Sequence, residues 1–223
     1  LSISAGKYHT VINTKGMVYT CGGGNEDEAE DEDVMELLKV NRAHLGHNDS
    51  VNEMVPRLVE ALVGVNVVGI TAGDDHTVVW TDEGKAYSFG YGGNGMLGHG
   101  GEEIEYVPRL IEGMLVGKRV VGVAAGYAHT VVWTDEGKAY SFGYGAFGRL
   151  GHGFPDDELV PRLIEGVLVG KKVVGLAAGS AHTVVWTDEG KAYSFGNGRF
   201  GMLGHGGKEH ELVPTLIHLL GEA

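Results

Sequence analysis

Eleven histidines are the side chains best equipped for chemistry in this 223-residue chain, and eight of them recur at regular spacing. His9, His76, His129 and His182 form one set, and His47, His99, His152 and His205 form another. An imidazole can bind a metal, relay a proton or act as a base. One imidazole per repeat, however, holds equivalent rings apart, whereas zinc draws its ligands to about 2 Å from a single ion. No CxxC, HxH or HExxH spacing is present. The two sets therefore read as buried imidazoles fixing backbone carbonyls between strands, and no metal site is expected. His44, His210 and His218 stand outside both sets. Trp80, Trp133 and Trp186 recur in phase with the first set and read as core. Cys21, the single cysteine, cannot form an internal disulfide, which favours a reducing compartment. It reads as a buried structural thiol. No phosphate-binding GxxxxGK[ST], no GxSxG and no dinucleotide fingerprint appears. No catalytic residue and no cofactor are expected, and the chain reads as non-enzymatic.

Binding chemistry is better represented. Seventeen Lys and Arg against 30 Asp and Glu give a net charge of −13. Nucleic-acid binders carry the opposite balance, so no direct nucleic-acid contact is expected and a basic protein surface is the favoured partner. Eight acidic residues crowd an insertion over 25–43, offset by Lys39 and Arg42. It reads as a solvated loop, with an acidic docking arm as the functional alternative. A calcium site there lacks the ordered EF-hand spacing. Three further places vary between otherwise similar copies. Asp74-Asp75 and Tyr127 precede two of the His-Thr pairs. Tyr144, Phe147, Arg149, Arg199 and Phe200 lie on glycine-rich loops, where aromatics and arginine commonly anchor partners. Glu102, Glu103, Asp156 and Asp157 form an acidic rim.

The elements that must position these residues are written in a repeat. HTVVWTDEGKAYSFG occurs unchanged at 76–90, 129–143 and 182–196, a period of 53 residues, and a diverged copy begins at His9. Leu-Gly-His and Val-Pro recur in phase, so four units fill the chain, at about 1–67, 68–120, 121–173 and 174–223. Each unit predicts four strands. In the third unit these are Val121–Ala125, the β-branched His129–Thr134, Lys138–Phe142 across an Asp135-Glu136-Gly137 turn, and Leu159–Ile164. The proline in the last places it at a sheet edge. The small residues Gly122, Ala124 and Ala125 belong in a crowded place near an axis. A short helical turn is expected near Val34–Leu38. Glycine numbers 39, but there are only five prolines and no glycine at every third position, which excludes collagen. A 43% hydrophobic content argues against disorder. No apolar run is long enough for a membrane helix, and no signal peptide is visible. Four-stranded units of this length predict an all-β fold, a β-propeller of four four-stranded blades.

The order Ala-Gly-x-x-His-Thr, Thr-Asp-Glu-Gly-Lys-Ala-Tyr-Ser-Phe-Gly, Leu-Gly-His-Gly and Val-Pro-Arg-Leu-Ile resembles the regulator of chromosome condensation repeat. The resemblance covers nearly the whole chain and implies a seven-bladed type of ring. Four units are then an arc, part of a longer propeller or completed by a partner, with a closed four-blade ring as the alternative; a start at Leu1 rather than Met agrees with a fragment. The family implies a protein-interaction scaffold or adaptor, as in ubiquitin ligases. Guanine-nucleotide exchange on a small GTPase is the alternative, and a secreted inhibitor-like binder a second one. The family also includes a plant ultraviolet-B photoreceptor, but the residues before His-Thr here do not match its Gly-Trp-Arg-His-Thr motif. The implied partner is a protein, basic or a small GTPase, in the cytoplasm or nucleus, with self-association through open propeller edges and no membrane contact.

Overall fold

In a computed structural model, residues 1–23, 43–49 and 51–218 are described. The acidic insertion and the turn expected near Val34–Leu38 fall almost wholly outside them. Blade 1 comprises β1 (Ser2–Ala5), β2 (His9–Thr14), β3 (Met17–Gly22) and β4 (Glu53–Leu58). Blade 2 comprises β5 (Val67–Ala72), β6 (His76–Thr81), β7 (Ala86–Gly90) and β8 (Glu105–Leu110). Blade 3 comprises β9 (Val120–Ala125), β10 (His129–Thr134), β11 (Ala139–Gly143) and β12 (Glu158–Leu163), and blade 4 β13 (Val173–Ala178), β14 (His182–Thr187), β15 (Ala192–Gly196) and β16 (Glu211–Leu216). Each blade is an antiparallel meander with its strands in chain order. The proline-bearing strand is outermost in all four, where its missing N–H interrupts no ladder.

The ends of three strands shift by one residue from the sequence expectation, because β9 begins at Val120, β11 runs to Gly143 and β12 begins at Glu158. Short 3-10 turns, such as Gly113–Leu115 and Ala146–Gly148, occupy loops that carried no helical signal. The β10–β11 hairpin turns where Gly137 takes φ 73°, a conformation glycine adopts without a Cβ clash. Gly122 has a different cause from the axial crowding expected of it. It pairs with Trp133 on the neighbouring strand, and a Cβ there would lie 1.8 Å from the indole.

The apolar core lies between blades. Val11, Val18 and Val59 of blade 1 pack with Val67, Ile70, Val79 and Phe89 of blade 2. Val78, Ala86 and Ile111 meet Val123, Val132 and Phe142 in the next junction, and Val131, Ala139 and Ile164 meet Leu176, Val185 and Phe195 in the third. The phenylalanine of each incoming blade lies over the Leu-Gly-His glycine of the blade before it: Phe89 on Gly46, Phe142 on Gly98 and Phe195 on Gly151. Cys21 holds the corresponding place in blade 1 and is half-buried. Inner strands β1, β5, β9 and β13 succeed one another around the axis.

Candidate functional site

The first histidine set fastens these junctions. His9 Nε2 lies 2.8 Å from Thr77 Oγ1, His76 Nε2 2.9 Å from Thr130 Oγ1, and His129 Nε2 3.0 Å from Thr183 Oγ1. Each threonine hydroxyl donates its proton to a carbonyl of the preceding blade's loop: His44 for Thr77, Met96 for Thr130 and Arg149 for Thr183. The hydroxyl must therefore accept from an Nε2–H, which fixes the neutral tautomer. Burial lowers the pKa of His76 to about 4 and of His129 to about 3. His9 is driven well below its usual value, first by burial and then by His44 and His76.

The second set acts within a blade. Ser88, Ser141, Ser194 and Thr20 each donate to the carbonyl of Leu97, Leu150, Leu203 and Leu45, and each hydroxyl meets Nε2 of His99, His152, His205 and His47. The imidazoles thus reach backbone carbonyls through a hydroxyl, not directly as the sequence suggested. Burial again lowers the pKa of His99, and that of His152 to about 4. His9, His76, His129 and the four histidines of the second set are fasteners, with their Nε2 atoms already engaged.

The variable positions gather on one face. The backbone N–H groups of Tyr91, Tyr144 and Asn197 donate to the carbonyls of Asp75, Ala128 and Ala181, which clamps each glycine-rich loop to the turn before a His-Thr pair. At the axis these turns border a groove of about 350 Å³, lined on its polar side by Lys7, Asp74, Tyr127 and Ser180. Lys7 and Ser180 occupy the same variable pair position as Asp74 and Tyr127, a signal the sequence carried without singling them out. The Lys7 ammonium sits 4.7 Å over the Tyr8 ring, and its pKa is raised by its hydrogen bond to Tyr8, then by Asp75 and Asp74. Tyr127 is exposed and Asp75 is buried.

The remaining candidates divide by what they touch. Glu102, Glu103 and Asp156 are exposed, as are Arg199 and Phe200. Asp157 is also exposed, yet it is engaged: it accepts from Gly145 N at 2.8 Å and from Asn94 Nδ2 of the preceding blade at 2.9 Å. Phe147 is half-buried, its ring 5.0 Å from His210 of the next blade. Arg149, read from sequence as a loop anchor, is only 3% exposed. Its guanidinium donates to the carbonyls of Ala146 and Ser180 and lies 4.6 Å from the Tyr144 ring. Burial lowers its pKa, while Tyr144, Asp157 and Tyr127 act in the opposite direction. Arg149 therefore props Ser180 and Tyr144 rather than reaching out. Among the described residues, no group of three or more His, Cys, Asp or Glu is placed to hold a metal ion.

The regulator of chromosome condensation (RCC1) repeat matches the chain at residues 41–80, 83–133, 136–186 and 189–222. A second form of the same repeat matches at 67–95, 120–149 and 173–201. The ultraviolet-B receptor UVR8 of Arabidopsis thaliana is 35% identical over 222 residues, which cover 99% of this chain and 47% of the receptor. The human E3 ubiquitin-protein ligase HERC2 is 36% identical over 223 residues, 99% of this chain and 4% of the ligase. The chain thus spans about half of one curated relative and a small part of the other. Human WBSCR16 superposes with a TM-score of 0.83 at 24% identity, covering 100% of this chain and 54% of that one. Prp20p of Saccharomyces cerevisiae, studied with its binding to Gsp1p and histones, gives 0.79 at 23% identity, covering 99% and 51%.

Proposed function

The chain belongs to the regulator of chromosome condensation repeat family, and from that premise we propose that it is a non-enzymatic protein-interaction scaffold of an intracellular kind, cytoplasmic or nuclear. It recruits a basic partner through the face where the His-Thr turns and the glycine-rich loops meet. The observation that carries this reading is the axial groove. Asp74 and Tyr127 line it on turns clamped by backbone hydrogen bonds, and Glu102, Glu103 and Asp156 stand on loops beyond it. An exposed tyrosine held on a rigid turn loses little freedom on binding, and the acidic loops steer a basic surface toward it. No helix among the described residues is long and apolar enough to cross a membrane. The ligase activity of HERC2 and the light response of UVR8 name whole proteins far longer than this chain.

Binding of Lys- and Arg-rich peptides to the immobilised chain tests the reading. Tyr127→Ala should weaken it about tenfold. The pair Glu102→Lys and Glu103→Lys should slow association and flatten its salt dependence. Unchanged binding in both variants overturns the scaffold face. The acidic rim also suits docking on a small GTPase, so nucleotide release is measured on a panel of such proteins. Acceleration that Tyr127→Ala abolishes would move the function from scaffold to exchange factor.

A further inference from the structure

The His-Thr turns and the Asp-Glu-Gly turns lie at opposite ends of the same strands, so the blades present a second face. On it, where blade 2 passes into blade 3, lies a pocket of about 410 Å³. Sites for small ligands span about 300–1,000 Å³. Its walls are the hairpin turn at 83–86 and the connection 110–120 between β8 and β9. The floor is apolar and fixed, because Ala86, Ile111, Leu115 and Val120 belong to the core between these two blades. Val116 also lines the pocket and is 70% exposed.

Three cations line this pocket, and two of them are engaged. Lys85 pairs with Glu83 at 2.7 Å, and Lys118 with Glu136 at 3.3 Å. Arg119 is exposed, and its guanidinium makes no hydrogen bond or ion pair among the described residues. Its stem and backbone are nonetheless held in place. A Cβ on Gly84 would lie 2.4 Å from Arg119 Cγ, and the Arg119 carbonyl accepts from Asp135 N at 3.0 Å. The neighbouring junctions put other residues here. Asn66 stands in this position between blades 1 and 2, its amide donating to Asp82 at 2.8 Å, and Lys172 stands there between blades 3 and 4.

We propose that this pocket takes the C-terminal residue of a partner polypeptide whose last side chain is apolar. The side chain rests on Ile111 and Leu115, and the α-carboxylate meets Arg119. A guanidinium can hold a carboxylate through two parallel N–H···O bonds, a geometry that an ammonium does not copy. A terminal residue carries its carboxylate and its side chain on one Cα, so both can enter a single small pocket. An acidic run suits it less, because Glu83 and Glu112 share the wall and repel further carboxylates. The inference stands apart from the basic partner of the opposite face and gives the scaffold a second binding surface.

The probe is a short peptide ending in leucine, labelled with a fluorophore at its N-terminus and otherwise neutral except for its free C-terminal carboxylate. The control is the same peptide as its C-terminal amide. Fluorescence anisotropy should show saturable binding of the acid and at least about tenfold weaker binding of the amide. Arg119→Ala should weaken binding of the acid by a similar factor, and Arg119→Lys should recover only part of the loss. Arg119 is exposed, so both variants should fold, which circular dichroism checks. No saturable binding of the acid at millimolar concentration, equal binding of acid and amide, or unchanged binding by Arg119→Ala would each overturn the proposal. Tyr127→Ala should leave peptide binding unchanged, which separates this outcome from the partner-binding reading above.

Discussion

Strands β10 and β14 have the same sequence, HTVVWT, on identical hairpins, yet they live in different surroundings. In β10 the histidine and both valines are buried and the tryptophan is half-covered. In β14 the histidine and first valine are half-exposed and Trp186 is open to solvent. The strand itself does not set burial. The following blade does, through a set of contacts that the two copies share in sequence but only one completes. Stability should therefore depend on whether another blade among the described residues packs against the side chain.

The largest test of that difference is pH. The His76 and His129 pKa values are depressed to about 4 and about 3 by burial, while the unfolded chain titrates near its ordinary value of about 6.5. Between those values the unfolded state binds more protons, so stability rises with pH there. It is intact above about pH 6.5 and is lost as pH falls toward the folded values. From pH 7 to pH 5 each of the two should contribute a loss of about 2 kcal/mol. Urea denaturation at both pH values checks this. Replacing His129 with Gln should flatten the pH slope, and His182→Gln should flatten it less. Equal flattening would break the comparison.

Next in size is the glycine beneath each tryptophan. A Cβ at Gly122 would meet the Trp133 ring at 1.8 Å, and one at Gly175 would meet Trp186 at 2.1 Å. Trp133 is pinned by the blade 4 cluster, whereas Trp186 is free to swing outward. Gly122→Ala should cost about 3 kcal/mol and Gly175→Ala about 1. Denaturation midpoints at unchanged slope measure both.

Much of this is legible in the sequence alone. The strings beginning at His76, His129 and His182 placed the strands to within a residue, and the proline of β12 placed that strand at the edge. The His-Thr pair was visible too. What a repeat cannot show is which copy a side chain reaches. His129 bonds Thr183, not its own neighbour Thr130, because the blades stack. The same blindness made Arg149 look like a surface anchor. Its loop is polar and glycine-rich, and only the turn of blade 4 beside it, offering the Ser180 carbonyl, takes it out of solvent.

The threonines give a third and smaller contrast. Thr183→Val removes the acceptor for His129 and the donor to the Arg149 carbonyl, leaving two polar groups unsatisfied in a buried junction. The expected loss is about 2 kcal/mol. Thr10→Val, whose hydroxyl meets no histidine among the described residues, should cost less than Thr183→Val. An equal loss would mean that the Thr10 hydroxyl has a structural role of its own.

The smallest expected effect serves as the control, because the side chains concerned pair within their own strand. Arg57, Arg109 and Arg162 on the outermost strands pair with Glu53, Glu105 and Glu158 four residues earlier. Blade 4 has Thr215 in that position, and its hydroxyl donates to Glu211 at 3.0 Å. The chain has thus already made the exchange once without losing the strand. An exposed ion pair in water gains little Coulomb energy and must immobilise a long side chain. Arg162→Thr should accordingly stay within about 0.5 kcal/mol of wild type. The outer edge keeps its own contacts whether or not another blade follows, so this substitution should be as mild in blade 3 as it already is in blade 4. A loss comparable to that of Thr183→Val would show that this exposed pair, too, answers to the neighbouring blade.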